Sequence, residues 1–279
     1  MIKNVNIILS TPPYIALICS IVTLQFITGC GDGTSLAELC EKNSEICEEF
    51  GKDSWCKRQQ IDVALARIKV KENKLDVDKY ELIVAYENYI RCMDLASQIQ
   101  HIKLKEKTTL RKNNLMKAKA NLAELSADNK SSSHPHLLYY YWSREGNKVS
   151  LDRFLAMEGT NSLESSIAQY HLATYYIKKD TNKTLGYLFH ALELHQPGTQ
   201  VLPEILQSLA TIFTKRQQYK QGYIWLKTYQ LTLSKPDDTI EISLKNYRDT
   251  YQLEDGFLDK VANKTLDKIK SGSFVSPKY

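Results

Sequence analysis

Apolar residues recur every three to four positions through most of the chain beyond residue 54. Ile61, Leu65 and Ile68 share one face of a helix predicted over 54–72. Ile83, Tyr86, Ile90 and Met93 do the same over 76–98, and Leu115, Ala118, Leu122 and Leu125 continue the period. Residues 36–125 therefore read as a helical region with a turn near Asn73 and Lys74. Glycine and proline are scarce, 11 and 7 among 279 residues, which argues against a loop-rich all-β fold. The predicted class is all-α. Segment 126–136, Ser-Ala-Asp-Asn-Lys-Ser-Ser-Ser-His-Pro-His, is polar and rich in breakers and predicts a linker.

Residues 137–270 carry an internal repeat. Leu172-Ala173-Thr174-Tyr175-Tyr176 recurs as Leu209-Ala210-Thr211-Ile212-Phe213, and Leu185-Gly186-Tyr187-Leu188 as Gln221-Gly222-Tyr223-Ile224. A fainter third copy has Tyr247, Tyr251 and Gly256-Phe257. A period near 36 residues with two helices per unit resembles tetratricopeptide-like α-solenoids, although the usual Trp and Pro landmarks are not all present. Antiparallel helix pairs are expected here, with Gly186 and Gly222 at tight helix crossings. Pro203 suits the first turn of a helix, where its missing N–H costs little. Residues 271–279 read as a flexible tail.

The N-terminus has its own pattern. One lysine, Lys3, precedes an almost wholly apolar run over 14–27. That run is shorter than the ~20 residues needed to span a bilayer, and Pro12-Pro13 stops its extension backwards. Residues 27–30, Ile-Thr-Gly-Cys, follow it and resemble the lipobox of bacterial lipoproteins. The resemblance implies a signal peptide over 1–29, a lipidated Cys30 and a short tether over 30–35. Gly31 stands where an Asp commonly retains such proteins in the inner membrane. The implied address is therefore the outer membrane, facing the periplasm.

Cysteine usage fits that compartment. Of six cysteines, Cys19 lies in the signal peptide and Cys30 is the lipid site. Cys40, Cys47, Cys56 and Cys92 allow three pairings, and two disulfides are expected in an oxidising compartment. In a helical hairpin centred on residue 74, positions 56 and 92 face each other, which predicts Cys56–Cys92. Cys40 and Cys47 would lie about 10 Å apart on one unbroken helix, too far for a bridge. A break at Asn43-Ser44 brings them together. The expected fold is thus a disulfide-stapled helical hairpin region followed by a tetratricopeptide-like α-solenoid. The Cys-x₆-Cys spacing, Ser54-Trp55-Cys56-Lys57-Arg58, the lipobox and the repeats together resemble an uncharacterised family of Gram-negative lipoproteins. That family has no assigned function and supplies no catalytic residues.

Charge and chemistry narrow the function only slightly. The formal net charge of +5 does not argue for nucleic acid, and a periplasmic address argues against it. Lys103, Lys105, Lys107, Arg111, Lys112, Lys117 and Lys119 make 101–119 basic. The ordinary reading is a solvated helix face; the functional one is contact with an anionic surface through residues such as Lys103, Lys107 and Arg111. Tyr139-Tyr140-Tyr141-Trp142 cannot all face one core on a helix. They either pack in the core or between domains, or line a peptide- or glycan-binding groove. His134 and His136 lack a third ligand nearby in sequence, so no metal and no cofactor are expected. Glu164-Ser165 resembles the Glu-Ser pair of soluble lytic transglycosylases, but their Gly-Leu-x-Gln segment is absent. No nucleophile-elbow, zincin or phosphate-loop motif occurs. The leading expectation is a non-enzymatic, lipid-anchored scaffold that binds envelope proteins. The alternative is an envelope enzyme or binding protein acting on peptidoglycan or other glycans.

Overall fold

The computed structural model describes residues 35–47, 50, 53–253 and 256–277. Cys30, the expected signal peptide and almost all of the expected tether lie outside these residues. Among the described residues every regular element is helical, and the expected all-α class holds.

The first half is a three-helix bundle with a short N-terminal strap. The strap holds α1 (Leu36–Lys42) and α2 (Ser44–Cys47); the bundle is α3 (Lys57–Asn73), α4 (Asp76–Ser97) and α5 (Lys105–Asp128). Ser35 and Glu38 cap α1 reciprocally, each side chain bonding the other residue's backbone N–H. The helix breaks at Asn43, as the cysteine spacing requires. Cys40 and Cys47 are then bridged with Cα atoms 5.5 Å apart, and Cys56 and Cys92 with Cα atoms 5.9 Å apart. Both pairings match the sequence expectation. Val63, Tyr86, Tyr89, Met93, Ala96 and Ala118 form the bundle core.

The second half stacks helix pairs. The first pair is α6 (Pro135–Glu145) and α7 (Lys148–Leu155). After a 3₁₀ turn at Asn161–Leu163 come α8 (Ser166–Tyr176) with α9 (Thr181–Glu193), then α10 (Pro203–Lys215) with α11 (Tyr219–Thr232). Proline opens α6 and α10. Asp180 caps α9 by accepting from two backbone N–H groups. The expectation of uniform pairing fails at the end. Helices α12 (Asp238–Tyr251) and α13 (Phe257–Lys270) both pack on α11 rather than mainly on each other. Leu266 and Ile269 of α13 reach the core made by Phe189, Leu209 and Phe213, so α13 folds back along the stack.

Three boundaries differ from the sequence reading. The linker expected over 126–136 shortens to residues 129–134, because α5 runs to Asp128 and Pro135 already begins α6. The halves are not separated by it. Ile83 of α4 shares a buried cluster with Leu137, Tyr140 and Tyr141 of α6. Ser132 Oγ donates to Asp76 across 2.6 Å, and Arg144 binds Glu87 through both carboxylate oxygens. The tail expected to be flexible is partly docked: Phe274 stacks near Phe189 and meets Trp225 edge-on, and the Ser276 N–H donates to Glu193 at 2.7 Å.

Candidate functional site

Helix α10 divides into two faces. Ile205, Leu206, Leu209, Ile212 and Phe213 are buried. Glu204, Gln207, Ser208, Thr211 and Lys215 lie at intervals of three and four on the opposite face, which puts them in one stripe. Short polar side chains in the middle of that stripe leave room above it. With Tyr170 and Ile177 from the α8 side they line a groove of about 490 Å³. The groove is electrically polar. Glu204 stands at one end; Lys215 and Arg216 stand at the other. Burial first, and the Glu204 charge second, raise the Tyr170 hydroxyl to about 12, so it remains a neutral hydrogen-bonding group. The Arg216 guanidinium is oriented by donating to Asn182 Oδ1 at 2.7 Å. Ile177 is exposed and adds an apolar contact point. Such a groove suits an extended segment carrying both an apolar and charged side chains.

A second cleft of about 640 Å³ lies between the 3₁₀ turn and α9, lined by Glu158, Glu164, Gln169, Gly186, Tyr187 and His190. Gly186 was expected at a tight crossing; instead a Cβ there would meet nothing within 4 Å, and the glycine leaves the cleft open. Gly222 does sit at a close approach, where a Cβ would lie 2.8 Å from Thr214 Oγ1. Partial burial works to raise the Glu158 carboxyl. The Tyr176 and Tyr187 hydroxyls and the Lys183 ammonium outweigh it and hold the group below its usual range. Burial lowers His190, but Glu193 and Glu164 more than compensate and raise it. Glu164 is half-exposed and 2.8 Å from His190 Nε2; it is not the enclosed carboxyl that the transglycosylase resemblance required. Ser165 caps α8.

The residues singled out in the sequence are placed elsewhere. Tyr139 and Trp142, three apart, face α8: Tyr139 bonds Thr174 at 2.7 Å, and Trp142 meets Tyr175 edge-on. Tyr140 and Tyr141 turn to the other side and are buried against α4. Tyr141 donates to the Ser126 carbonyl at 2.8 Å. Tyr140 and Tyr141 thus pack between the halves and Tyr139 and Trp142 within the second half, so the four aromatics are packed against neighbouring helices rather than gathered along one groove. Arg111 also leaves the proposed basic surface. It is 2% exposed, forms an ion pair with Asp53, and donates to the Ala96 carbonyl at 3.3 Å. The charged guanidinium is satisfied internally, so it offers nothing to solvent. Lys107 is half-buried and 3.9 Å from Asp53, whereas Lys103 is exposed. His136 packs with Tyr80 and His171, and His134 packs edge-on against His136. No group of metal-binding side chains occurs among the described residues. The groove on α10 was missed because its signal is negative: small polar residues opposite a core stripe.

No helix among the described residues is long and apolar enough to cross a membrane. No curated protein and no solved structure matches the chain. The model of one family does match, over residues 27–227. That match spans well over half of the sequence, and the chain belongs to the family described as "Protein of unknown function (DUF2989)".

Proposed function

We propose that this protein is a lipid-anchored scaffold, held through Cys30 to the periplasmic face of the outer membrane, that binds other cell-envelope proteins. The groove along α10 carries the reading. It is open and polar at both ends, and it lies on a stack of helix pairs, an architecture that presents extended binding surfaces. Two disulfides support an oxidising compartment. The family match includes residues 27–30, where the lipobox resemblance lies. The decisive experiment places a photo-crosslinking amino acid at Thr211 in the groove and, as a control, at Lys264 on α13. A discrete partner should be captured from Thr211 alone, and Gln207→Arg should remove it. Equal capture at both positions would overturn the groove. Equal incorporation of labelled palmitate into wild type and Cys30→Ser would overturn the anchor.

A glycan-directed role is the second reading, favoured by the Glu158–Glu164 cleft. Binding to purified peptidoglycan, or its cleavage, that is lost in Glu158→Gln or Glu164→Gln without unfolding would replace the scaffold.

A further inference from the structure

One end of the bundle is apolar and basic among the described residues. Cys56 is bonded to Cys92, and Arg111 reaches Asp53, the Ala96 carbonyl and, at 4.8 Å, the Trp55 ring. These contacts bring the start of α3, the end of α4 and the start of α5 together around the loop 98–104. From that end project Trp55, 47% exposed, Leu95, 65%, Ile102, 89%, and Leu104, 50%. Isolated surface apolar residues are common; four large ones gathered at one tip are not. The loop is held in shape: Thr108 Oγ1 accepts from the His101 N–H at 3.1 Å and donates to the Ile99 carbonyl at 3.3 Å. Its apolar side chains are thus presented outward by a fixed backbone.

The rim of this tip is positive. Lys57, Arg58, Lys103 and Lys105 are all exposed. Asp53 is neutralised by Arg111 and Lys107, and Asp94 lies 3.8 Å from Lys119. Glu106 remains as an exposed acid. An apolar tip with a tryptophan, ringed by lysine and arginine, fits the boundary of an anionic bilayer. There the apolar side chains enter the headgroup layer and the cations meet phosphate. We propose that this end of the bundle docks on an anionic phospholipid surface, as a second contact beside the lipid at Cys30. The lipid at Cys30 and a surface contact at the tip reinforce each other because the second contact becomes intramolecular.

The contact rests on this chain's own tip and is testable without the anchor. Full-length Cys30→Ser is mixed with vesicles of phosphatidylcholine, with and without phosphatidylglycerol. Binding should require phosphatidylglycerol and weaken with salt. Each lysine near such a surface contributes roughly fivefold in affinity, so Lys103→Glu/Lys105→Glu should weaken binding tenfold or more. Ile102→Asp/Leu104→Asp should abolish it, and brominated lipid should quench wild-type fluorescence more than that of Trp55→Phe. All variants share one N-terminus, so the differences report the tip. Because these side chains are exposed, the melting temperature should not change. Vesicle binding indifferent to these substitutions would overturn the proposal, as would no binding. Self-association abolished by Ile102→Asp, without vesicle binding, would make the patch a dimer interface and equally overturn it. Failure of the anchor alone would appear as absent palmitate labelling with vesicle binding intact.

Discussion

Tyr139 lies flat on His171, with ring centroids 3.7 Å apart and planes tilted by 4°. Tyr80 from α4 closes on the same imidazole, its hydroxyl 3.2 Å from Nε2, and the His136 ring is 5.3 Å away. A histidine of the second half is thus enclosed partly by an aromatic of the first. Burial drives His171 well below its ordinary value, with the His136 and Arg144 charges adding to the shift. His136 falls from 6.5 to about 4, by burial first and the His134 charge second.

The folded state therefore holds these rings neutral while the unfolded chain binds protons below about pH 6.5. A base with a depressed folded pKa loses stability as pH falls through that window. Between pH 6.5 and pH 4, His136 alone should cost up to about 3 kcal/mol. Urea unfolding across that range should show the decline, and His136→Phe should flatten it. An unchanged slope would place the titration on other groups.

The two repeat glycines should respond oppositely. At Gly222 an added Cβ meets Thr214 Oγ1 at 2.8 Å and the Tyr247 hydroxyl at 3.4 Å, atoms already bonded to each other. Gly222→Ala should cost about 1–3 kcal/mol by overpacking. Gly186→Ala meets nothing and should be neutral or add up to about 1 kcal/mol through helix propensity. Thermal melts of the two variants in the reverse order would contradict the close approach at Gly222.

Breaking the Asp53–Arg111 pair should do more damage than removing it. Arg111→Met strands a buried carboxylate, which the guanidinium now holds below its usual range. The expected loss is about 3–5 kcal/mol. Asp53→Leu/Arg111→Met together should recover much of it. A double variant as unstable as the sum of the singles would mean the residues do not interact.

The two disulfides should differ in weight. Cys56–Cys92 spans 36 residues and Cys40–Cys47 spans seven. Loop-closure entropy then gives about 4 and about 2.5 kcal/mol respectively. Denaturant unfolding of the two Ser double variants checks the order. Non-reducing peptide maps joining Cys47 to Cys92 would refute both pairings.

The cysteine pairing was legible because a hairpin is symmetric about its turn, and position 56 must then meet position 92. The proline helix starts were legible because their signals are local. Arg111 was not, because its partner lies 58 residues away and lysine-rich neighbours suggest a solvated face. Tyr140 and Tyr141 were legible only as aromatics needing more than one surface to pack on; which surfaces awaited the packing of α4 on α6. Gly186 misled because a glycine in a helix signals room without saying whether a helix or open space fills it.

The contacts across residues 129–134 also bear on how the chain comes apart. Ser132 with Asp76, Arg144 with Glu87 and Tyr80 with His171 tie the halves on several sides, and Tyr141 fills a core belonging to both. A protease cutting in this segment should therefore yield two fragments that elute together and separate only in denaturant. Calorimetry of the intact chain should show one melting event. Neither half is a bead on a string, and a truncation at the apparent boundary would expose an aromatic seam.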